Sequence, residues 1–312
     1  MTLAFVFPGQ GSQSVGMLAE LAGARAGVRA AFDEASAGAG VDLWALSQQG
    51  PESQLNRTEF TQPVLLAASV GVHRAWIAAG GARPALLAGH SLGEYSALVC
   101  GGALSLVEAA GLVRERGRLM QEAVPAGTGA MAAVLGAEDA QIDEACEAVA
   151  GDEVVAAANF NSPGQTVIAG HVGAVDRALA KLTEMGVRKS VKLPVSVPSH
   201  TVLMRGAAEC LAERMAGLSW SMPAVPVVQN ADARAHESID AIRDALVRQL
   251  YLPVRWTGCV LGLQAAGATR LAECGPGKVL AGLVKRIDRS LDCRPLGAPG
   301  DFDAALAEWG SR

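Results

Sequence analysis

Short, nearly unbroken apolar runs alternate with longer stretches of helical periodicity along most of the chain. Runs of that kind suit strands covered on both faces by helices, so the pattern predicts an α/β fold. Leu3 to Phe7 reads as a first strand and Gln62 to Ala79 as a helix. Leu86 to Ala88 reads as a buried strand, followed at once by a helix from Leu92 to Val99. Ser105 to Val124 is a long helix, opened by Ser105 with Glu108 three residues on, the spacing of a capping box.

The middle of the chain changes rhythm. Ala130 to Leu135 reads as a strand, Glu138 to Ala150 as a helix and Val154 to Ala158 as a strand. The turn Asn161-Ser162-Pro163-Gly164 leads to a strand at Thr166 to Ala169, a helix at Ala174 to Met185 and a strand at Arg188 to Leu193. The order β-α-β-β-α-β is that of a ferredoxin-like unit. The expected fold is therefore a large α/β hydrolase-like domain with a parallel sheet, formed by residues 1–126 and 197–312. A small ferredoxin-like domain, residues 127–196, is inserted into it. After the insert the pattern predicts helices at Thr201–Ala216 and Ile239–Leu250, strands at Val225–Val228 and Arg270–Ala272, and a helix from Lys278.

Composition narrows the class. Half of the 312 residues are apolar and 18% are charged, which marks a well-buried globular protein rather than a disordered one. No apolar stretch reaches membrane-spanning length, and the first residues lack a basic leader, so a cytoplasmic protein without a membrane partner is expected. A net charge of −5 argues against nucleic acid as the main partner. The six cysteines contain no C-x-x-C pair and read as reduced core residues. The five histidines show no metal-ligand spacing, so no metal is expected.

Gly89-His90-Ser91-Leu92-Gly93 matches the G-x-S-x-G nucleophile elbow, in which a serine sits on a strained turn between a strand and a helix. With 36 glycines in the chain, the pattern arises by accident in roughly one such chain in four. A serine needs a base, and the histidines compete for that role. His90 should point away from Ser91; His73 reads as a helix histidine, His171 as a surface residue and His236 as part of an exposed loop. His200 follows a turn-rich stretch where the chain leaves the insert, a place where pockets form, but spacing alone leaves its role open. The turn Pro8 to Gln13, directly after the first strand, faces either a ligand crevice or nothing in particular. Arg114 and Arg118 read as a solvated helix face. Arg116 points elsewhere and would suit a carboxylate if it faces the pocket.

Taken together, these segments resemble the malonyl-CoA:acyl carrier protein transacylase family. The matching motifs are Phe5–Gln13, Thr61-Gln62-Pro63, Gly89–Ala97, Arg116-Gly117 with Met120-Gln121, and Gly129-Ala130-Met131. Asn159–Gln165, Val197–His200, Gln249–Trp256 and Glu273–Leu280 complete the series in family order. Leu252 departs from the family, where asparagine is common, at a position without a chemical group in the reaction.

The resemblance implies ping-pong transfer of a malonyl group from malonyl-CoA to the phosphopantetheine thiol of acyl carrier protein. It makes Ser91 the nucleophile, His200 the general base, and the amides of Gln10 and Leu92 the oxyanion hole. It assigns Arg116, His90 and Gln249 to the substrate side, with Arg116 on the malonyl carboxylate and a backbone carbonyl near Gln249 orienting the base. No acidic third member of a triad is expected, and Glu94, one turn along the elbow helix, is not read as one. The resemblance implies no resident cofactor and a monomer. An acidic carrier would need a local basic patch, either Arg188, Lys189 and Lys192 or Lys285, Arg286 and Arg289. The competing readings are the malonyltransferase subunit of malonate decarboxylase, a serine hydrolase or thioesterase, and a carrier-binding scaffold.

Overall fold

The computed structural model describes residues 2–310, and two sheets organise them. The larger holds six strands: β1 (Thr2–Phe7), β2 (Leu86–Gly89), β7 (Val227–Gln229), β8 (Arg234–Ala235), β9 (Ala268–Glu273) and β10 (Asp292–Pro295). Their order is β10-β9-β1-β2-β7-β8, and every neighbouring pair is parallel except β7 with the two-residue β8. The expected parallel sheet is thus a mixed one, with an antiparallel edge.

Burial on both faces explains why β1 reads as a solid apolar run. Leu3, Phe5 and Phe7 enter one core, packed by the helices Thr58–Ala78, Ala26–Ala39 and Leu106–Glu122. Ala4 and Val6 enter the other, with Trp256, Leu263, Leu271 and Val284. Alternate residues along one strand serve two layers, as a centrally placed parallel strand requires.

The smaller sheet is antiparallel, with β3 (Gly129–Leu135), β4 (Val155–Ser162), β5 (Gln165–His171) and β6 (Lys189–Lys192) in the order β4-β5-β3-β6. Helices Asp139–Val149 and Val172–Glu184 cover one face, where Ala132, Val134, Ile142, Val175 and Leu182 form a separate core. The other face carries Met131, Val167 and Leu193 toward the larger sheet. Backbone bonds Phe160 N–H to Val254 O and Val254 N–H to Ala158 O, both 2.9 Å, tie the two sheets' segments together.

Several elements depart from the sequence pattern. Residues 8–57, for which the pattern predicts no element, hold helices at Ala19–Ala24, Ala26–Ala39, Leu43–Gln49 and Glu52–Leu55. The helix expected from Gln62 begins a turn earlier, at Thr58, with Pro63 in its second turn. Ser105 does cap its helix, accepting from Glu108 N–H at 3.2 Å, but the Glu108 carboxylate bonds the Ser105 hydroxyl rather than its amide. All six cysteines are free, but Cys210 is exposed rather than in the core. His236 is mostly covered, paired with Asp232 at 3.3 Å, and His171 is half-buried, its Nδ1 accepting from Val154 N–H at 2.9 Å. Among the described residues no helix is long and apolar enough to cross a membrane.

Candidate active site

Parallel pairing of β1, β2 and β7 sets the C-terminal ends of three strands side by side, with Phe7 next to Gly89 and Ala88 next to Val228. The segments leaving these strand ends therefore meet at one sheet edge, as is usual for ligand crevices in α/β folds. Pro8 to Gln13 leaves β1, His90-Ser91-Leu92 leaves β2, and Asn230 leaves β7. Close backbone approach makes glycine necessary here. A Cβ on Gly89 would lie 1.8 Å from the Gly93 carbonyl carbon, and one on Gly93 would lie 2.0 Å from the Phe7 oxygen. Ser91 takes a left-handed φ of 51°, uncommon for a residue with a side chain and typical of strained functional turns.

Asn230 holds that strained turn in place. Its Oδ1 accepts from Ser91 N–H and its Nδ2 donates to Gly89 O, both at 2.7 Å. Above the turn lies a cleft of about 390 Å³ between the two sheets, lined by Gln10, Ser91, Arg116, Met131, Asn161 and His200 among others.

Ser91 Oγ lies 2.8 Å from His200 Nε2. His200 Nδ1 lies 2.7 Å from the Gln249 backbone oxygen. A carbonyl can only accept, so Nδ1 carries the proton and Nε2 presents its lone pair to the serine hydroxyl. Burial first, and then the nearby Arg116 charge, push the His200 pKa down to about 3. His200 is therefore neutral, the form able to take a proton.

Arg116 is 1% exposed and makes no ion pair among the described residues. Its Nη1 donates to Gln62 Oε1 at 2.9 Å and its Nη2 to Gln249 Oε1 at 3.0 Å, with Ser91 Oγ 3.4 Å from the same nitrogen. The Tyr95 ring lies beneath it, 5.4 Å from the guanidinium carbon. A buried guanidinium whose neighbours are neutral groups, at the edge of a cleft, is a site for an anion.

The chain matches the acyl transferase domain family model over residues 4–291. It is 56% identical over 303 residues to the malonyl CoA-acyl carrier protein transacylase of Escherichia coli K12, covering 97% of this chain and 98% of that protein. The chain belongs to the malonyl CoA-acyl carrier protein transacylase family.

Solved structures agree with that family membership. The malonyl-CoA:acyl carrier protein transacylase of Xanthomonas oryzae pv. oryzae superposes with a TM-score of 0.98 at 67% identity, each chain covered in full. A malonyl-transacylase in complex with its type II PKS acyl-carrier protein superposes with a TM-score of 0.97 at 51% identity, over 99% of this chain and all of that one.

Five residues singled out by the family motifs thus come together in space: Ser91, His200, Arg116, Gln249 and Leu92. Gln10 stands on the cleft rim, exposed, in a turn packed so tightly on the elbow that a Cβ on Gly9 would lie 2.5 Å from His90 O. Among the described residues the amides of Gln10 and Leu92 donate no hydrogen bond. His90 turns its Nε2 to Asn161 Oδ1 at 2.8 Å, away from the serine. His73 packs edge-on against Phe5, with its pKa lowered to about 4 by burial. Arg118 pairs with Glu115 and Glu122 on the outer face; Arg114 instead reaches the Ala39 carbonyl and the Phe60 ring.

Sequence reasoning missed three features. Gln62, noted only as part of a family motif, is a direct partner of Arg116. The Gln249 side chain, as well as its carbonyl, belongs to the site. Asn230 carried a signal, since Gln229-Asn230 places two polar residues at the end of a buried strand.

Proposed function

We propose that this chain transfers a malonyl group from malonyl-CoA to the phosphopantetheine thiol of an acyl carrier protein, supplying fatty acid synthesis. The observation that carries this reading is Arg116: a buried cation, without an ion-pair partner among the described residues, with its Nη2 3.4 Å from Ser91 Oγ. An acyl group bound at Ser91 that also carries a free carboxylate would reach that guanidinium, and an acetyl group would leave it unpaired.

In the proposed sequence the Ser91 hydroxyl gives its proton to His200 Nε2 as Oγ attacks the thioester carbonyl. The oxyanion then faces the amides of Gln10 and Leu92, which donate to no other group among the described residues. The Gln249 carbonyl steadies the imidazolium through Nδ1. Collapse breaks the carbon–sulfur bond, and His200 returns its proton to the departing coenzyme A thiolate. The carrier thiol repeats the steps in reverse, giving its proton to His200 and releasing Ser91. These steps use side chains and backbone amides only, and phosphopantetheine comes with the partner.

His90, with Asn161, would line the path of the donor. Two basic clusters flank the cleft and suit an acidic carrier: Arg188, Lys189 and Lys192 beside Leu193, and Lys285, Arg286 and Arg289 on and after the helix that carries Leu283. The small sheet, with its β-α-β-β-α-β order, supports a ferredoxin-like domain over residues 127–196. Residues 1–126 and 197–312 would then form a hydrolase-like domain, in a cytoplasmic monomer.

The neutral His200 sets the expected pH dependence. An ordinary histidine loses its basic form below 6.5, whereas burial and Arg116 keep His200 unprotonated far below that. The expected kcat/KM for the free enzyme stays level as pH falls through 6.5, up to the limit set by acid unfolding. A limb centred near 6.5 would contradict the assignment. Coenzyme A release with and without phosphopantetheinylated carrier tests the function itself. Release should be a single turnover without carrier and continuous with it; continuous release without carrier would make the protein a hydrolase.

A further inference from the structure

Glu94, in the first turn of the helix Gly93–Cys100, has a fully buried carboxylate with no cation at ion-pair distance among the described residues. It accepts instead from three N–H groups: Gln229 Nε2 at 2.8 Å, Asn230 N at 2.7 Å and Gln249 Nε2 at 2.9 Å. Burial pushes its pKa up to about 7 against the pull of those donors and of Arg116. A buried acid with neutral donors and no cation beside it is costly, which makes its surroundings informative.

Two of its three donors lead to the reacting centre. Gln249 Nε2 also donates to Ser91 O at 3.0 Å, while Gln249 Oε1 accepts from Arg116. Asn230 carries the elbow on its side chain. A carboxylate only accepts and a guanidinium only donates, so Gln249 fits between them in one orientation, nitrogen toward Glu94 and oxygen toward Arg116. Turned over, its amide would set N–H against N–H at the guanidinium. Direct contact between Glu94 and Arg116 would also neutralise the cation, and an incoming carboxylate would have to displace it.

We propose that Glu94 is a positioning residue: it locks the amide of Gln249 and the main chain of Asn230, and through Gln249 it fixes the place of Arg116. The guanidinium is thereby held in place yet left open to a substrate carboxylate. This rests on the malonyl reading above.

The test compares kcat/KM for malonyl-CoA and acetyl-CoA in the full-length wild type, Glu94→Ala, Glu94→Gln and Arg116→Ala, with thermal unfolding alongside. A merely structural role lowers the folded fraction and slows both donors equally, leaving their ratio unmoved. The expected result for Glu94→Ala is a malonyl-to-acetyl ratio about tenfold lower, chiefly through KM for malonyl-CoA. Glu94→Gln retains an oxygen for Asn230 N and Gln249 Nε2, and should keep the ratio within about threefold.

An unchanged ratio in folded Glu94→Ala overturns the proposal, as does a Glu94→Gln ratio that falls as far as that of Glu94→Ala. If Glu94→Ala does not fold, Glu94→Asp replaces it: the charge remains but the oxygens draw back, and the ratio must fall below that of Glu94→Gln. Equal ratios in wild type, Glu94→Asp and Glu94→Gln overturn the proposal. A wild type without malonyl preference, or an Arg116→Ala variant with the wild-type ratio, removes the substrate reading instead, and the positioning role with it.

Discussion

Arg116→Ala is expected to lower the preference for malonyl-CoA over acetyl-CoA by about ten- to a hundredfold, the range for losing a buried charge-assisted hydrogen bond. Both directions contribute. The malonyl carboxylate would enter a buried site with nothing to pair it, while an acetyl group would no longer strand a guanidinium. Gln62 Oε1 and Gln249 Oε1, the two oxygens that hold Arg116, would also lose their donor. Removing the cation relieves one cause of the low His200 pKa, so the acid limb of kcat/KM should move upward in this variant. Burial is the larger cause and remains, so the limb should still lie below 6.5. Competition between the two donors measures the selectivity directly, and an unaltered ratio would refute the role.

Ser91→Ala is expected to abolish covalent labelling by malonyl-CoA and to lower transfer by about 10⁴-fold or more. The fold should tolerate the change, because the elbow is held through backbone groups. Ser91 N–H reaches Asn230 and Ser91 O reaches Gln249, and neither bond involves the hydroxyl. Alanine would still have to sit at φ 51°, a conformation serine already adopts here at similar cost. Substantial transfer by a folded Ser91→Ala protein would mean that the thiol attacks malonyl-CoA directly, with no acyl-enzyme between.

Much of this site was legible because its chemistry lies in short local motifs. Gly89 to Gly93 describes its own turn: two glycines where backbone meets backbone and a serine between them. The two sheets were legible for a similar reason, since β1 serves two cores and β3 to β6 follow a regular alternation with their helices. The region from 8 to 57 was not. Its main helix, Ala26–Ala39, is built largely of alanine and glycine, whose small side chains suit either face and blur the helical period.

Long-range partnerships were hidden for a different reason. His200 lies 109 residues from Ser91 and Gln249 lies 158 from it, so their meeting depends on strand order and crossovers. Spacing could rank His200 among the histidines, but only family motifs joined it to the serine. Side-chain orientation was harder still. Glu94 is no triad acid, since the His200 Nδ1 partner is the Gln249 carbonyl, yet it lies one amide away from Arg116.

The central claim is an acyl group carried on Ser91 between two thiols. The most direct test is intact-protein and peptide mass spectrometry of the full chain, mixed with malonyl-CoA and then with phosphopantetheinylated carrier protein. One malonyl group should appear on the peptide containing Ser91 before the carrier is added. It should leave that peptide and appear on the carrier afterwards. A protein that never carries malonate on Ser91, or carries it and loses it only to water, would contradict the account.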